Sequence, residues 1–124
     1  MDVLDLAKIF IDAIQRGDVE AARNCYTSDA KIWHNFDDKE QSVDENMAAL
    51  AKWVRLVDNR NYNVTRMERL PDGYLQQHIL TGTTKEGVEI FVHACVICTV
   101  VDGKISRLEE YLDPGPATSV RNAS

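Results

Sequence analysis

A carboxylate stands between two leucines in the stretch Leu108-Glu109-Glu110-Tyr111-Leu112. Alternate side chains of an extended chain share a face, so Leu108, Glu110 and Leu112 point one way while Ile105, Arg107, Glu109 and Tyr111 point the other. On a core-facing side Glu110 is desolvated, which raises a carboxyl pKa unless a partner compensates, and such a group exchanges protons near neutral pH. A histidine is the natural partner. His78, in Leu75-Gln76-Gln77-His78-Ile79-Leu80, shares a strand face with Gln76 and Leu80. Paired with a buried glutamate it would be oriented and basic enough to activate water or take a proton from carbon. Glu110 and His78 are therefore candidates for a catalytic pair, with Gln76 on the same face as His78. The plainer alternative is a strand-edge glutamate in a salt bridge and a core histidine satisfied by one hydrogen bond.

Trp33-His34-Asn35 supplies a second polar string. Alternation sends Trp33 and Asn35 to one side and His34 to the other, and the local sequence leaves open which side is inner. His93 is expected to be structural or on the outer sheet face, and Glu109 with Arg107 to be surface or interface charges. Imidazole and carboxylate groups at His34, His78 and Glu110 could chemically suit zinc or iron, but no local ligand pair such as HExxH appears, so no metal is expected. The chain also lacks a GxSxG elbow, a Walker loop and a dinucleotide fingerprint, and no cofactor is expected.

The elements that must hold these residues are legible. Asp2 caps a helix with apolar residues at Val3, Leu6, Ala7, Phe10, Ala13 and Ile14, which Gly17 ends as a left-handed cap. Asp18 restarts a short helix through about Tyr26. Lys31 to Asn35 reads as a strand, followed by the polar loop Phe36 to Gln41. Ser42 and Glu45 form a capping box for a third helix whose buried stripe includes Val43, Met47, Leu50 and Val54, and which ends near Asp58 to Asn61.

Four strands follow as a meander. Tyr62 to Leu70 and Tyr74 to Thr83 flank the turn Pro71-Asp72-Gly73, and Lys85-Glu86-Gly87 leads into Val88 to Val101. Asp102-Gly103 then makes the hairpin to the strand carrying Glu110. Val88 to Val101 is apolar on both alternating sets, so one face is expected to meet the helices and the other a second subunit. Helices segregated from a sheet imply an α+β fold. A single domain spanning residues 1–116 with a tail at 117–124 is expected from the length of 124 residues and from Pro114-Gly115-Pro116.

Composition excludes several classes. The net charge of -6 is scattered and acidic, which argues against nucleic-acid binding through a basic stripe. No run is apolar and long enough to span a membrane, and no secretory signal is evident, so a cytoplasmic location is expected. Cys95 and Cys98 have CxxC spacing, but residues three apart on a strand face opposite ways, and with Cys25 they read as small buried hydrophobes.

The helix-Gly-Asp-helix start, YTSDAKIWHN, the meander and DGKISRLEEYLD together resemble the nuclear transport factor 2-like superfamily, in particular its SnoaL-like branch, over about residues 2–114. The resemblance implies a cone-like curved sheet, mixed or antiparallel, packed on three N-terminal helices. It implies a small-molecule pocket between them and a homodimer formed through the sheet. Measured against ketosteroid isomerases, Phe10 stands where a tyrosine polarises the substrate and His34 where an aspartate is the base. Measured against limonene-epoxide hydrolases, His78, Gln76 and Glu110 fall on the Asp-Arg-Asp site, Trp33 replaces a tyrosine and Asn35 matches an asparagine. The expectation is an enzyme of isomerase, cyclase, dehydratase or hydrolase type acting on a small apolar or amphipathic molecule. Its substrate contacts would come from Phe10, Trp33, His34, Asn35 and Gln76. The alternative is a non-catalytic binding or interaction domain of the same fold.

Overall fold

The computed structural model describes residues 1–115, and the expected tail at 117–124 lies outside the described residues. Helix α1 (Val3–Arg16) begins where the Asp2 side chain accepts from the Leu4 N–H, and ends at Gly17 with φ of 75°. Only glycine adopts that left-handed cap without strain. Asp18 caps α2 (Val19–Arg23) by accepting from Ala21 N–H. The capping box at Ser42 and Glu45 forms as the sequence predicts and starts α3 (Val43–Leu56).

Strand β1 (Tyr26–His34) is longer than the predicted Lys31 to Asn35, because Thr27, Ser28 and Asp29 give its first half a polar outer side that hides the pattern. A two-residue strand, β2 (Glu40–Gln41), forms in the loop before α3. The meander is β3 (Val57–Leu70), β4 (Gly73–Thr84), β5 (Glu89–Val101) and β6 (Lys104–Leu112). α3 passes directly into β3 at Val57, several residues before the predicted end of the helix. Val57 N–H still bonds to Trp53 O, while the Arg60 guanidinium donates to the Val54 and Val57 carbonyls and takes up the free end of the helix.

The six strands form one open mixed sheet in the order β2-β1-β6-β5-β4-β3. Every adjacent pair is antiparallel except β1 with β6, which run parallel. The three helices pack over the concave side, and the main core joins Leu6, Phe10 and Ala13 of α1 to Met47 and Leu50 of α3 and to the inner residues of the sheet. The result is an α+β cone. Gln15 fastens its open side by accepting from the Tyr62 N–H at 2.8 Å.

One irregularity decides which face of β6 looks inward. Thr99 pairs with Arg107 but Val100 pairs with Ile105, so Ser106 is an extra residue in β6. This bulge turns Ile105 into the core beside Leu108, at 0% exposure, whereas strict alternation assigned it to the outer side with Arg107. The Ser106 hydroxyl donates to the Thr99 carbonyl across the bulge. Leu108, Glu110 and Leu112 all line the concave side.

Candidate active site

A cavity of about 420 Å³ lies between the helices and the concave face. Its walls are mostly apolar, from Phe10 and Ile14 of α1, Leu50 and Trp53 of α3, and Val92 and Leu108 of the sheet. That size and character suit a small organic molecule. Glu110, His34, His78 and Gln76 all reach it.

Glu110 meets a different histidine from the one expected. In the parallel pairing of β1 with β6, His34 lies opposite Glu110, and neighbours in register share a face. His34 Nε2 stands 3.2 Å from Glu110 Oε1, with the two side chains 15% and 21% exposed. The His34 ring rests against Phe36, their centroids 5.2 Å apart. No hydrogen bond to the other carboxylate oxygen is formed among the described residues.

His78 is 4% exposed and makes its hydrogen bond within its own strand. The Gln76 amide Nε2 donates to His78 Nδ1 at 2.9 Å, which leaves the ring proton of the neutral imidazole on Nε2. Burial holds the His78 pKa below 6.5, and the negative charge of Glu110 opposes that shift without making a contact. His78 is thus a neutral, positioned ring in the cavity wall. It does not pair directly with Glu110 as the sequence reading assumed.

Trp33 and Asn35 take the other side of β1. The Trp33 indole N–H donates to Asp38 at 2.8 Å, and its ring meets Tyr111 edge-on across the outer face of the sheet. Asn35 ties the strand ends together: its N–H donates to the Glu110 carbonyl and its side-chain oxygen accepts from the Leu112 N–H. Neither lines the cavity, so their expected contact with substrate is corrected. Phe10 does line it, packed edge-on against Tyr26 at 5.3 Å.

The cavity's tyrosines are not among the site residues expected from the sequence. The Tyr26 hydroxyl donates to Asn46, whose amide donates to Gln41, a polar chain leading along one side of the cavity. The Tyr62 ring lies 5.4 Å from His78. Burial lifts the phenol pKa of Tyr62, Tyr26 and Tyr74 well above the usual range, so all three remain O–H donors. Tyr62 was findable as an aromatic on the strand next to His78, had the inward face of β3 been known.

Cys25 and Cys98 are buried as expected of small hydrophobes, whereas Cys95, on the outward-facing set of β5, is only half-buried. Cys25, Cys95 and Cys98 are free, and burial pushes the Cys98 thiol up to about 12. Among the described residues no group of three His, Cys, Asp or Glu side chains is arranged to hold a metal ion. Among the described residues no helix is long and apolar enough to cross a membrane.

An α+β cone with a half-open, mostly apolar cavity reached by histidine and glutamate side chains defines a broad class of small domains, and comparison with known families narrows it. The chain belongs to the SnoaL-like domain family, whose model matches residues 7–108. PrhC from Penicillium brasilianum superposes with a TM-score of 0.85 at 16% identity, over 97% of this chain and 85% of that one. A protein from Shewanella putrefaciens, named for SnoaL-like polyketide cyclases, gives 0.82 at 10% identity over 98% and 97%. An epoxide hydrolase of M. tuberculosis, described as LEH-like, gives 0.77 at 14% identity over 95% and 87%. At such identities the likeness is one of fold. No curated protein matches the sequence.

Proposed function

We propose that the protein is a cofactor-independent enzyme acting by general acid/base chemistry on a small, largely apolar molecule, with His34 and Glu110 as the proton-transfer pair. The observation that carries this reading is the 3.2 Å approach of His34 Nε2 to Glu110 Oε1 in the wall of an apolar cavity. A carboxylate held against an imidazole can orient it, and the pair can accept a proton at one point and return it at another. His78, neutral and fixed by Gln76, supplies an N–H toward developing negative charge. Isomerisation, cyclisation, dehydration and water addition all need these two parts. Relatives named for polyketide cyclisation and epoxide hydrolysis support chemistry of this breadth.

The test is a panel of small ketones, enones and epoxides incubated with the protein in deuterium oxide and read by mass spectrometry. Wild type is expected to convert or label at least one of them, and Glu110→Gln and His34→Gln to lower that rate by about 10²-fold or more while still melting cooperatively. Turnover unaffected by both substitutions would refute the assignment. Thermal stabilisation by panel members without any product or label would instead favour a non-catalytic binding domain.

A further inference from the structure

The turn that follows β1 carries an aromatic side chain back into the cavity. His34 is the last residue of β1, and residues 35–37 form a tight turn that the Asp38 N–H closes by donating to the His34 carbonyl at 3.1 Å. Phe36, in the middle of that turn, lines the cavity, and its ring lies against His34 with the planes tilted by 37°. The His34 side chain is only 15% exposed although Asn35, Asp37 and Asp38 beside it are exposed. Glu110 meets the imidazole at Nε2, and Phe36 covers ring surface that β6 leaves open.

The turn is fastened on both sides of Phe36. Before it, the Asn35 N–H donates to the Glu110 carbonyl and the Asn35 side-chain oxygen accepts from the Leu112 N–H. After it, the Asp38 carboxylate accepts from the Trp33 indole N–H at 2.8 Å, and the Trp33 ring is itself braced edge-on by Tyr111. Asp38 has a φ of 55°, a left-handed state that aspartate and asparagine adopt more readily than other residues bearing a Cβ. Asp38 thus meets two requirements at once, the backbone of the turn and an acceptor for Trp33. Neither Trp33 nor Asp38 lines the cavity.

We propose that Trp33 and Asp38 are positioning residues whose hydrogen bond, made outside the cavity, holds Phe36 as a cap on His34 and limits the access of bulk water to the His34–Glu110 pair. Its bearing on turnover rests on the acid/base reading above. The cap itself belongs to the resting protein and is measurable without a substrate. Releasing the Trp33–Asp38 bond leaves the turn fastened at Asn35 alone, on the strand side of Phe36, so the ring loses its restraint on the loop side.

Deuterium uptake at the imidazole C2 position of each histidine, read by mass spectrometry on the ligand-free protein at alkaline pH, tests the cap. In the wild type the exposed His93 is expected to exchange faster than His34. Trp33→Phe keeps an aromatic ring against Tyr111, and Asp38→Gly keeps the left-handed backbone, but each removes the hydrogen bond. Both should speed exchange at His34 about fivefold, the population shift set by a hydrogen bond of ordinary net strength. Phe36→Ala should speed it at least as much, and Asp38→Asn, which keeps the backbone and an acceptor, should leave it at the wild-type rate. His78 should keep its wild-type rate throughout, because a general loosening of the fold would move that buried ring as well. An unchanged His34 in both Trp33→Phe and Asp38→Gly, an equal rise in Asp38→Asn, or a parallel rise at His78 would overturn the proposal. Turnover of the panel above reads the other claim separately. His34 exchange that follows the cap while Glu110→Gln leaves turnover intact retains the positioning role and rejects the catalytic pair, whereas the opposite pattern does the reverse.

Discussion

His34 and His78 illustrate how one residue type takes two roles in one cavity. His34 faces Glu110 because two strands are parallel and in register, whereas His78 is satisfied by Gln76 two residues earlier on its own strand. The inward direction of Glu110 was readable from its flanking leucines, and that of His78 from Gln76 and Leu80. The pairing was not, because nothing in either short string reveals that the first strand lies beside the last. The parity of Trp33, His34 and Asn35 was undecidable for the same reason. His78 also makes a stability prediction. Its folded pKa lies below 6.5, so the unfolded chain binds a proton that the native ring refuses. Stability is therefore full above pH 6.5 and declines as pH falls from there through the lower folded pKa. Urea unfolding across that window should show the decline, and His78→Gln should flatten it.

At the scale of elements, the helix caps were the most legible feature, since Asp2, Gly17, Asp18, Ser42 and Glu45 act through their immediate neighbours. Features that depend on a neighbouring strand were not legible. The bulge at Ser106 reassigns Ile105 to the core, and alternation alone cannot announce an extra residue. Gly73 is similar. It reads as a turn glycine, but its requirement comes from packing: a Cβ there would run into the Cys98 carbonyl on β5. Gly73→Ala is expected to cost about 1–3 kcal/mol or more by overpacking. Gly87 has a φ of 82° and open space around it, so Gly87→Ala should cost only about 1 kcal/mol of backbone strain. Denaturant midpoints of the two variants would check that order.

At the scale of the whole molecule, the three helices lie on the concave side, and among the described residues the convex face of the cone carries exposed apolar side chains. Phe91 is 57% exposed and Tyr111 44%, and with half-buried Cys95 and Ile97 they face outward across β5 and β6, with the exposed His93 ring set between Phe91 and Cys95. Flanking it, Arg107 contacts both Glu40 and Glu109, so the border carries both signs of charge. A second copy related by a two-fold axis would cover apolar residues with apolar residues and could set each sign against its opposite. Sedimentation at micromolar concentration is expected to give a dimer, and Phe91→Asp a folded monomer. A monomeric wild type would exclude this arrangement. The two-sided apolar pattern of Val88 to Val101 displays the outward side of β5 in the sequence, and the dimer rests on the sedimentation test.

The parallel seam between β1 and β6 bears on the order in which the molecule comes together. Each hairpin of the meander can zip locally from its turn, but this seam joins the first long strand to the last and closes the largest loop in the fold. Contacts of such wide sequence separation are slow to form, because the chain loses the entropy of closing the loop before any pairing rewards it. His34 and Glu110 lie on opposite sides of that seam. Chains that had completed their hairpins and helices without this seam would still hold the two groups apart, so the His34–Glu110 contact depends on closing it.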